Sequence, residues 1–128
     1  MSQTVPNEVE SLLTSEPLVA HLATSVEDRP HVAPVWYLYA DETVEIVTGG
    51  RKLANIRENP RVAVSIQKDE GGHTEWMVSL LGTATVIDDE AAYSAVNRRI
   101  NEKYDGDEAY PENMLVRISV GTVNYRMY

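Results

Sequence analysis

The most restrictive feature of this sequence is a series of short strand-like runs that follow one another with no helix between them. Leu18 to Thr24, His31 to Tyr39 and Thr43 to Thr48 come in succession, separated only by the polar stretch Ser25–Pro30 and by Asp41-Glu42. A parallel pair needs a crossover of roughly a dozen residues or more, so neighbours joined this tightly pair antiparallel. Val62, Val64 and Ile66 alternate in a fourth run, and Asp69-Glu70-Gly71-Gly72 predicts a hairpin turn into a long strand, Thr74 to Ile87. Gly82 in that run predicts a bulge or a close backbone approach. Leu115 to Val120 alternates again. Three helices complete the pattern. Asn7 is the expected cap of the first, which carries Val9, Leu12 and Leu13 and stops before Pro17. Leu53 and Ile56 mark the second, ended by Asn59-Pro60, and Asp88-Asp89-Glu90 opens a third with Tyr93, Val96, Ile100 and Tyr104 on one stripe. Six strands in the order α-β-β-β-α-β-β-α-β give a mainly β (α+β) chain with an antiparallel, barrel-like sheet.

With 128 residues and no repeat or linker, residues 1–128 are expected to form a single domain. A chain this short buries only about two thirds of its unfolded surface, which favours pairing with a second copy. Twenty Asp and Glu against 11 Lys and Arg leave a net charge of −9, a field that repels nucleic-acid phosphates and anionic lipid. The first residues lack the basic and apolar regions of a signal peptide, and no run is long enough to span a membrane, so a cytoplasmic protein is expected. Cysteine is absent, which excludes disulfides and thiolate chemistry. Only Lys52, Lys68 and Lys103 are lysines, and excess carboxylate with little lysine suits a halophilic protein held in molar salt.

Most familiar catalytic constellations are missing. No phosphate loop or paired-glycine dinucleotide fingerprint occurs, and His21, His31 and His73 have no metal-site spacing. One cluster stands out: Thr48-Gly49-Gly50-Arg51-Lys52, where a strand hands over to a helix. The glycines let backbone N–H groups turn inward, Arg51 offers a planar fork, and Lys52 offers a mobile ammonium. Two cations at a helix start oppose the macrodipole, and an anionic ligand would resolve the conflict; a plain Gly-Gly turn with solvated cations is the alternative. The aromatic-rich run His31–Tyr39 contains Pro34, which cannot donate to a ladder. A flat heteroaromatic ring could lie along it, or its aromatics could simply fill core.

Taken in order, Leu18–Thr24, Arg29-Pro30-His31-Val32-Ala33-Pro34-Val35-Trp36-Tyr37 and the stretch Thr48 to Val62 resemble the pyridoxamine 5'-phosphate oxidase-like, FMN-binding split-barrel family. The stretch from Arg51-Lys52 to Asn59-Pro60-Arg61-Val62 is the most specific part. The resemblance implies a six-stranded split barrel working as a homodimer, with flavin in clefts at the subunit interface. It implies that Arg51 and Lys52 grip the FMN phosphate. Backbone of Ala33, Pro34, Val35 and Trp36 would line the ring, and Val47 and Thr48 would flank the ribityl-phosphate end. By family position, Trp76, Met77 and the tail around Tyr125-Arg126 would complete the cleft of the other subunit.

Two departures bear on substrate. Leu38 stands where the family's namesake carries a lysine for its substrate's phosphate, and Val116–Val120 offers no counterpart to its C-terminal arginine segment. The expected function is therefore an FMN-dependent oxidoreductase acting on a small redox substrate other than a phosphorylated B6 vitamer. No side chain is singled out as an acid–base catalyst, and no metal site is expected. The alternatives are a reductase using a deazaflavin coenzyme, whose ring resembles that of FMN but bears an oligoglutamate tail, and a flavin-binding module without turnover.

Overall fold

A computed structural model describes residues 3–128. Its backbone is one antiparallel sheet of seven strands with three helices, in the split-barrel arrangement. The elements are α1 (Asn7–Leu13), β1 (Ala20–Val26), β2 (Arg29–Val35), β3 (Leu38–Ala40), β4 (Thr43–Thr48), α2 (Gly50–Glu58), β5 (Arg61–Glu70), β6 (His73–Ile87), α3 (Glu90–Tyr104) and β7 (Met114–Met127). Across the sheet the order is β2-β1-β5-β6-β7-β4-β3, so β2 and β3 are free edges and the sheet is not closed.

The strand count corrects the sequence reading. The run His31–Tyr39 is two strands, not one, because the chain breaks at Trp36-Tyr37. Tyr37 turns fully into the core, and its phenol donates to the Leu13 carbonyl at 2.6 Å. Its own carbonyl accepts from Lys103 Nζ at 2.8 Å, and its N–H donates to the Tyr104 hydroxyl at 3.2 Å. Those bonds replace the ladder that a continuous strand would use. Pro34 falls on the free edge β2, where a missing donor costs little.

Other boundaries shift for local reasons. Asn7 is the first residue of α1 rather than its cap; Pro6 takes the cap position, and its carbonyl accepts from the Val9 and Glu10 N–H groups. Leu18 stays outside β1 because its carbonyl accepts from the Tyr104 hydroxyl at 2.6 Å. Strand β7 runs well past Val120, since β6 continues opposite it as far as Trp76 facing Met127. At the predicted bulge, the β6–β7 register slips between Leu81 and Gly82. A side chain at Gly82 would sit 2.5 Å from the Ser119 carbonyl oxygen, so only glycine fits there. The Asp89 carboxylate caps α3 by accepting from the Ala92 N–H at 3.0 Å.

Alternation along the strands builds the core. Leu22, Val44, Ile46, Ile66, Val78, Leu80 and Ile118 point inward with Val9 and Leu13 of α1 and are essentially inaccessible to solvent. Burying each such side chain stabilises the fold by about 1.5–3 kcal/mol. A smaller cluster joins Val96 and Ile100 of α3 to Leu115, with Trp36, Leu38 and Val47 packed against it. Through it α3 lies across the β2–β3 crossover and the end of β4, where the chemistry-bearing residues gather. Among the described residues no helix is long and apolar enough to cross a membrane.

Candidate functional site

A cleft of about 480 Å³ opens where β4 passes into α2. One wall is Pro34, Val35 and Trp36 at the end of β2; the floor is Val47 and Thr48 at the end of β4, followed by Gly49 and Gly50. Lys52 lines the cleft from the first turn of α2. Asn97, Ile100 and Asn101 of α3 close the far side, and Glu108, Tyr110, Glu112 and Asn113 cover it from the loop before β7. Six of the eight residues expected from the sequence therefore meet in one place. Ala33 and Arg51 do not line it: Ala33 lies opposite Leu22, one residue before the cleft wall, and Arg51 is exposed beside the mouth. Trp76 lies largely in the core, at 5% exposure.

The start of α2 is poorly satisfied by its own sequence. Gly49 holds the cap position without a side chain to cap it, and no acidic residue stands in the first turn. Gly50 adopts φ +61°, a left-handed conformation natural to glycine, with open space where a side chain would be. Arg51 and Lys52 place positive charge at an end that already carries the positive pole of the helix. Among the described residues the ion pairs are Lys68–Glu16, Lys68–Glu75, Arg98–Glu102 and Arg117–Glu45, so neither Arg51 nor Lys52 has a carboxylate partner. In a chain with nine excess negative charges, two cations without a carboxylate partner at a helix start suit an anionic ligand.

The helix is aimed by contacts that sequence reasoning did not assign. Asn55 is buried and donates to the Thr24 hydroxyl at 3.0 Å, while Asn59 donates to the Ser25 carbonyl at 3.0 Å. With Leu53 and Ile56 in the core, these amides dock α2 on β1 and fix where its first turn points. The contribution of Asn97, Asn101 and the loop 106–113 was also missed. Nothing in local spacing brings residues 97–113 to Gly49; only the tertiary fold does.

Trp36 is fixed rather than free. Its ring stacks on Tyr104 with centroids 4.8 Å apart and planes 4° from parallel, and Gly106 leaves room for its edge. A ligand ring would meet the backbone of this segment and the rim of the indole. Beside this stack, Lys103 Nζ lies 3.8 Å over the Tyr37 ring, and burial pushes its ammonium down to about 8. Burial likewise pushes the Tyr104 phenol up to about 12 and raises that of Tyr37. Among the described residues no group of His, Asp and Glu is placed to hold a metal.

These shifts set a sign for pH dependence. Between about 8 and 10.5 the unfolded chain holds a proton on Lys103 that the folded chain releases, so this group adds stability as pH rises through that window. Above 10.0 the unfolded tyrosine ionises while folded Tyr104 stays neutral up to about 12, so stability falls there. Thermal melts of the wild type are expected to gain from pH 8 to pH 10, and Lys103→Met to lack that gain. Equal slopes in the two proteins would remove Lys103 as its source.

Comparison with known proteins agrees with this fold. The sequence profile of the family described as pyridoxamine 5'-phosphate oxidase matches residues 5–127. A candidate pyridoxamine 5'-phosphate oxidase from Listeria innocua is similar in structure, at TM-score 0.76 and 21% identity over 93% of this chain and 95% of that one. An F420 reductase is similar at TM-score 0.74 and 23% identity, over 89% of this chain and 94% of that one. A FAD-binding protein from Mesorhizobium loti is similar at TM-score 0.73 and 22% identity, over 92% and 91% of the two chains. No curated protein matches the chain.

Proposed function

Because the chain belongs to the pyridoxamine 5'-phosphate oxidase-like split-barrel family, we propose that it is an FMN-dependent oxidoreductase that works as a homodimer on a small redox substrate. The observation that carries this reading is the uncapped start of α2, with Arg51 and Lys52 unpaired beside a cleft of about 480 Å³. That volume falls within the roughly 300–1,000 Å³ of small-molecule sites. Lys52 and the first N–H groups of α2 would hold the phosphate, with Arg51 reaching in from the rim. Val47 and Thr48 would flank the ribityl-phosphate end, and the backbone of Ala33, Pro34, Val35 and Trp36 would run along the ring. FMN, when bound, supplies the electron transfer; the protein supplies orientation, an apolar wall and fixed charge. Leu38 packs among apolar side chains of α3, so its position offers no charge for a substrate phosphate. A phosphorylated B6 vitamer is accordingly not the substrate we propose.

The outer face of the sheet supports the dimer. Register aligns Val32, Ala23, Ala63, Leu81 and Thr122 in one row across β2, β1, β5, β6 and β7. Val32 and Leu81 are 66% and 51% exposed, and the two residues between them, Ala23 and Ala63, are small and apolar. Pro34, which lines the cleft, lies two residues along β2 from Val32 and pairs with His21, so a second copy on this face would border the site.

A second reading, a reductase using a deazaflavin coenzyme, is favoured by the likeness to the F420 reductase. An absorbance spectrum of the purified protein, with mass spectrometry of whatever denaturation releases, tests both. A flavin spectrum and released FMN support the first reading. A colourless protein that takes up no FMN in titration overturns it. Sedimentation at the mass of two chains supports the dimer, and the mass of one chain overturns it.

A further inference from the structure

We propose that the 106–113 segment is an acidic gate over the phosphate end of the cleft, in which Glu108 and Glu112 select a ligand whose negative charge ends at a single phosphate monoester. The inference rests on the flavin reading above and adds to it the residues that decide which flavin-like coenzyme is accepted.

The segment is built onto the site. A side chain at Gly49 would lie 2.6 Å from Asn113 Oδ1, 3.5 Å from the Glu112 carbonyl oxygen and 3.6 Å from Glu112 Cγ. Residues 112 and 113 thus close directly on the turn that opens α2. The other end of the segment is clasped to α3. Asn101 Oδ1 accepts from the Glu108 N–H at 3.1 Å, and Asn101 Nδ2 donates to the Glu108 carbonyl at 2.9 Å. Asn97 donates to that same carbonyl at 3.2 Å, and the Gly106 N–H donates to the Asn101 carbonyl at 2.9 Å. The amides of Asn97 and Asn101 that line the cleft are therefore occupied in holding the loop.

The carboxylates are not so occupied. Neither Glu108 nor Glu112 forms an ion pair among the described residues, and both line the same cleft as Lys52. Lys52 in the first turn of α2 and the two glutamates of the loop thus line one cleft, with Arg51 exposed beside it. One phosphate at the helix start is met by Lys52, Arg51 and the helix pole. A ligand that continues into further carboxylates or a second phosphate must place them against Glu108 and Glu112, where like charges repel. The anionic capacity of the corner is filled by one phosphate. An uncharged ribityl end is indifferent to both carboxylates, which separates their effect from the contacts of the ring.

The test is equilibrium titration of the apoprotein and of the double variant Glu108→Gln/Glu112→Gln with three probes. These are riboflavin, FMN, and a deazaflavin coenzyme bearing an oligoglutamate tail. Both exchanges are on an exposed loop and are isosteric. The double variant is expected to bind the tailed coenzyme about tenfold or more tighter than the wild type, and FMN about threefold tighter. Riboflavin should stay within about twofold, and the gap between proteins should close near 1 M salt, where the screening length is about 3 Å. Unchanged affinity ratios among the three probes, or weaker binding of the tailed coenzyme, overturns the gate while leaving the flavin site intact. If none of the three probes binds either protein, the flavin reading fails and the gate falls with it.

Discussion

Replacing both Arg51 and Lys52 by alanine is expected to weaken FMN binding about 100-fold or more while leaving the apoprotein as stable as before or slightly more so. A hydrogen bond to a charged group contributes about 1.5–3 kcal/mol, and each 1.4 kcal/mol is about tenfold in affinity. The two single variants should differ. Lys52 is half-buried and lines the cleft, so Lys52→Ala should account for most of the loss; Arg51 is exposed at the rim and screened by solvent. Stability should move the other way, because removing cations from the first turn of α2 relieves their conflict with the helix pole by about 0.3–1 kcal/mol. Fluorescence titration with FMN and riboflavin, beside thermal melts of the apoprotein, reads both effects. Loss of FMN affinity with riboflavin unaffected assigns the two residues to the phosphate. Equal affinity for FMN in wild type and double variant would refute that assignment.

The same residues show where sequence reasoning succeeds and where it stops. Val44 with Ile46 and Val62 with Val64 and Ile66 alternate because one face of each strand is buried, and that burial is a local, period-two signal. The Gly71-Gly72 turn, at φ +57° and +82°, and the bulge at Gly82 were equally legible, because each needs a residue without Cβ. The cluster Thr48–Lys52 was readable because its oddity, cations at an uncapped helix start, lies within five consecutive residues. The break at Tyr37 was not readable. It depends on Leu13, Lys103 and Tyr104, and no feature of His31–Tyr39 announces those partners. The role of the loop 106–113 was hidden, since the clasp from Asn97 and Asn101 operates only once α3 lies over β4.

Tyr37→Ala is expected to destabilise the protein by about 3–5 kcal/mol, the usual cost of deleting a large buried aromatic side chain. No part of Tyr37 is accessible to solvent, and the residue joins three elements. Its phenol holds the end of α1 through the Leu13 carbonyl, its ring lies under Lys103 of α3, and its backbone carries the crossover from β2 to β3. Tyr37→Phe keeps the ring and removes one buried hydrogen bond, which leaves the Leu13 carbonyl unpaired at a cost of about 1–3 kcal/mol. The two variants should therefore separate packing from hydrogen bonding in denaturant unfolding. They should also separate in ligand binding. Trp36, a wall of the cleft, is the next residue in the chain and is held flat against Tyr104, whose hydroxyl accepts from the Tyr37 N–H at 3.2 Å. Phenylalanine leaves that backbone path in place, so Tyr37→Phe should bind FMN like the wild type. Alanine removes the ring that keeps the crossover seated, so Tyr37→Ala should lose affinity even at temperatures where it is fully folded. Equal FMN affinity in folded Tyr37→Ala and wild type would mean that the cleft wall is held by the Trp36–Tyr104 stack alone, independently of the core beneath it.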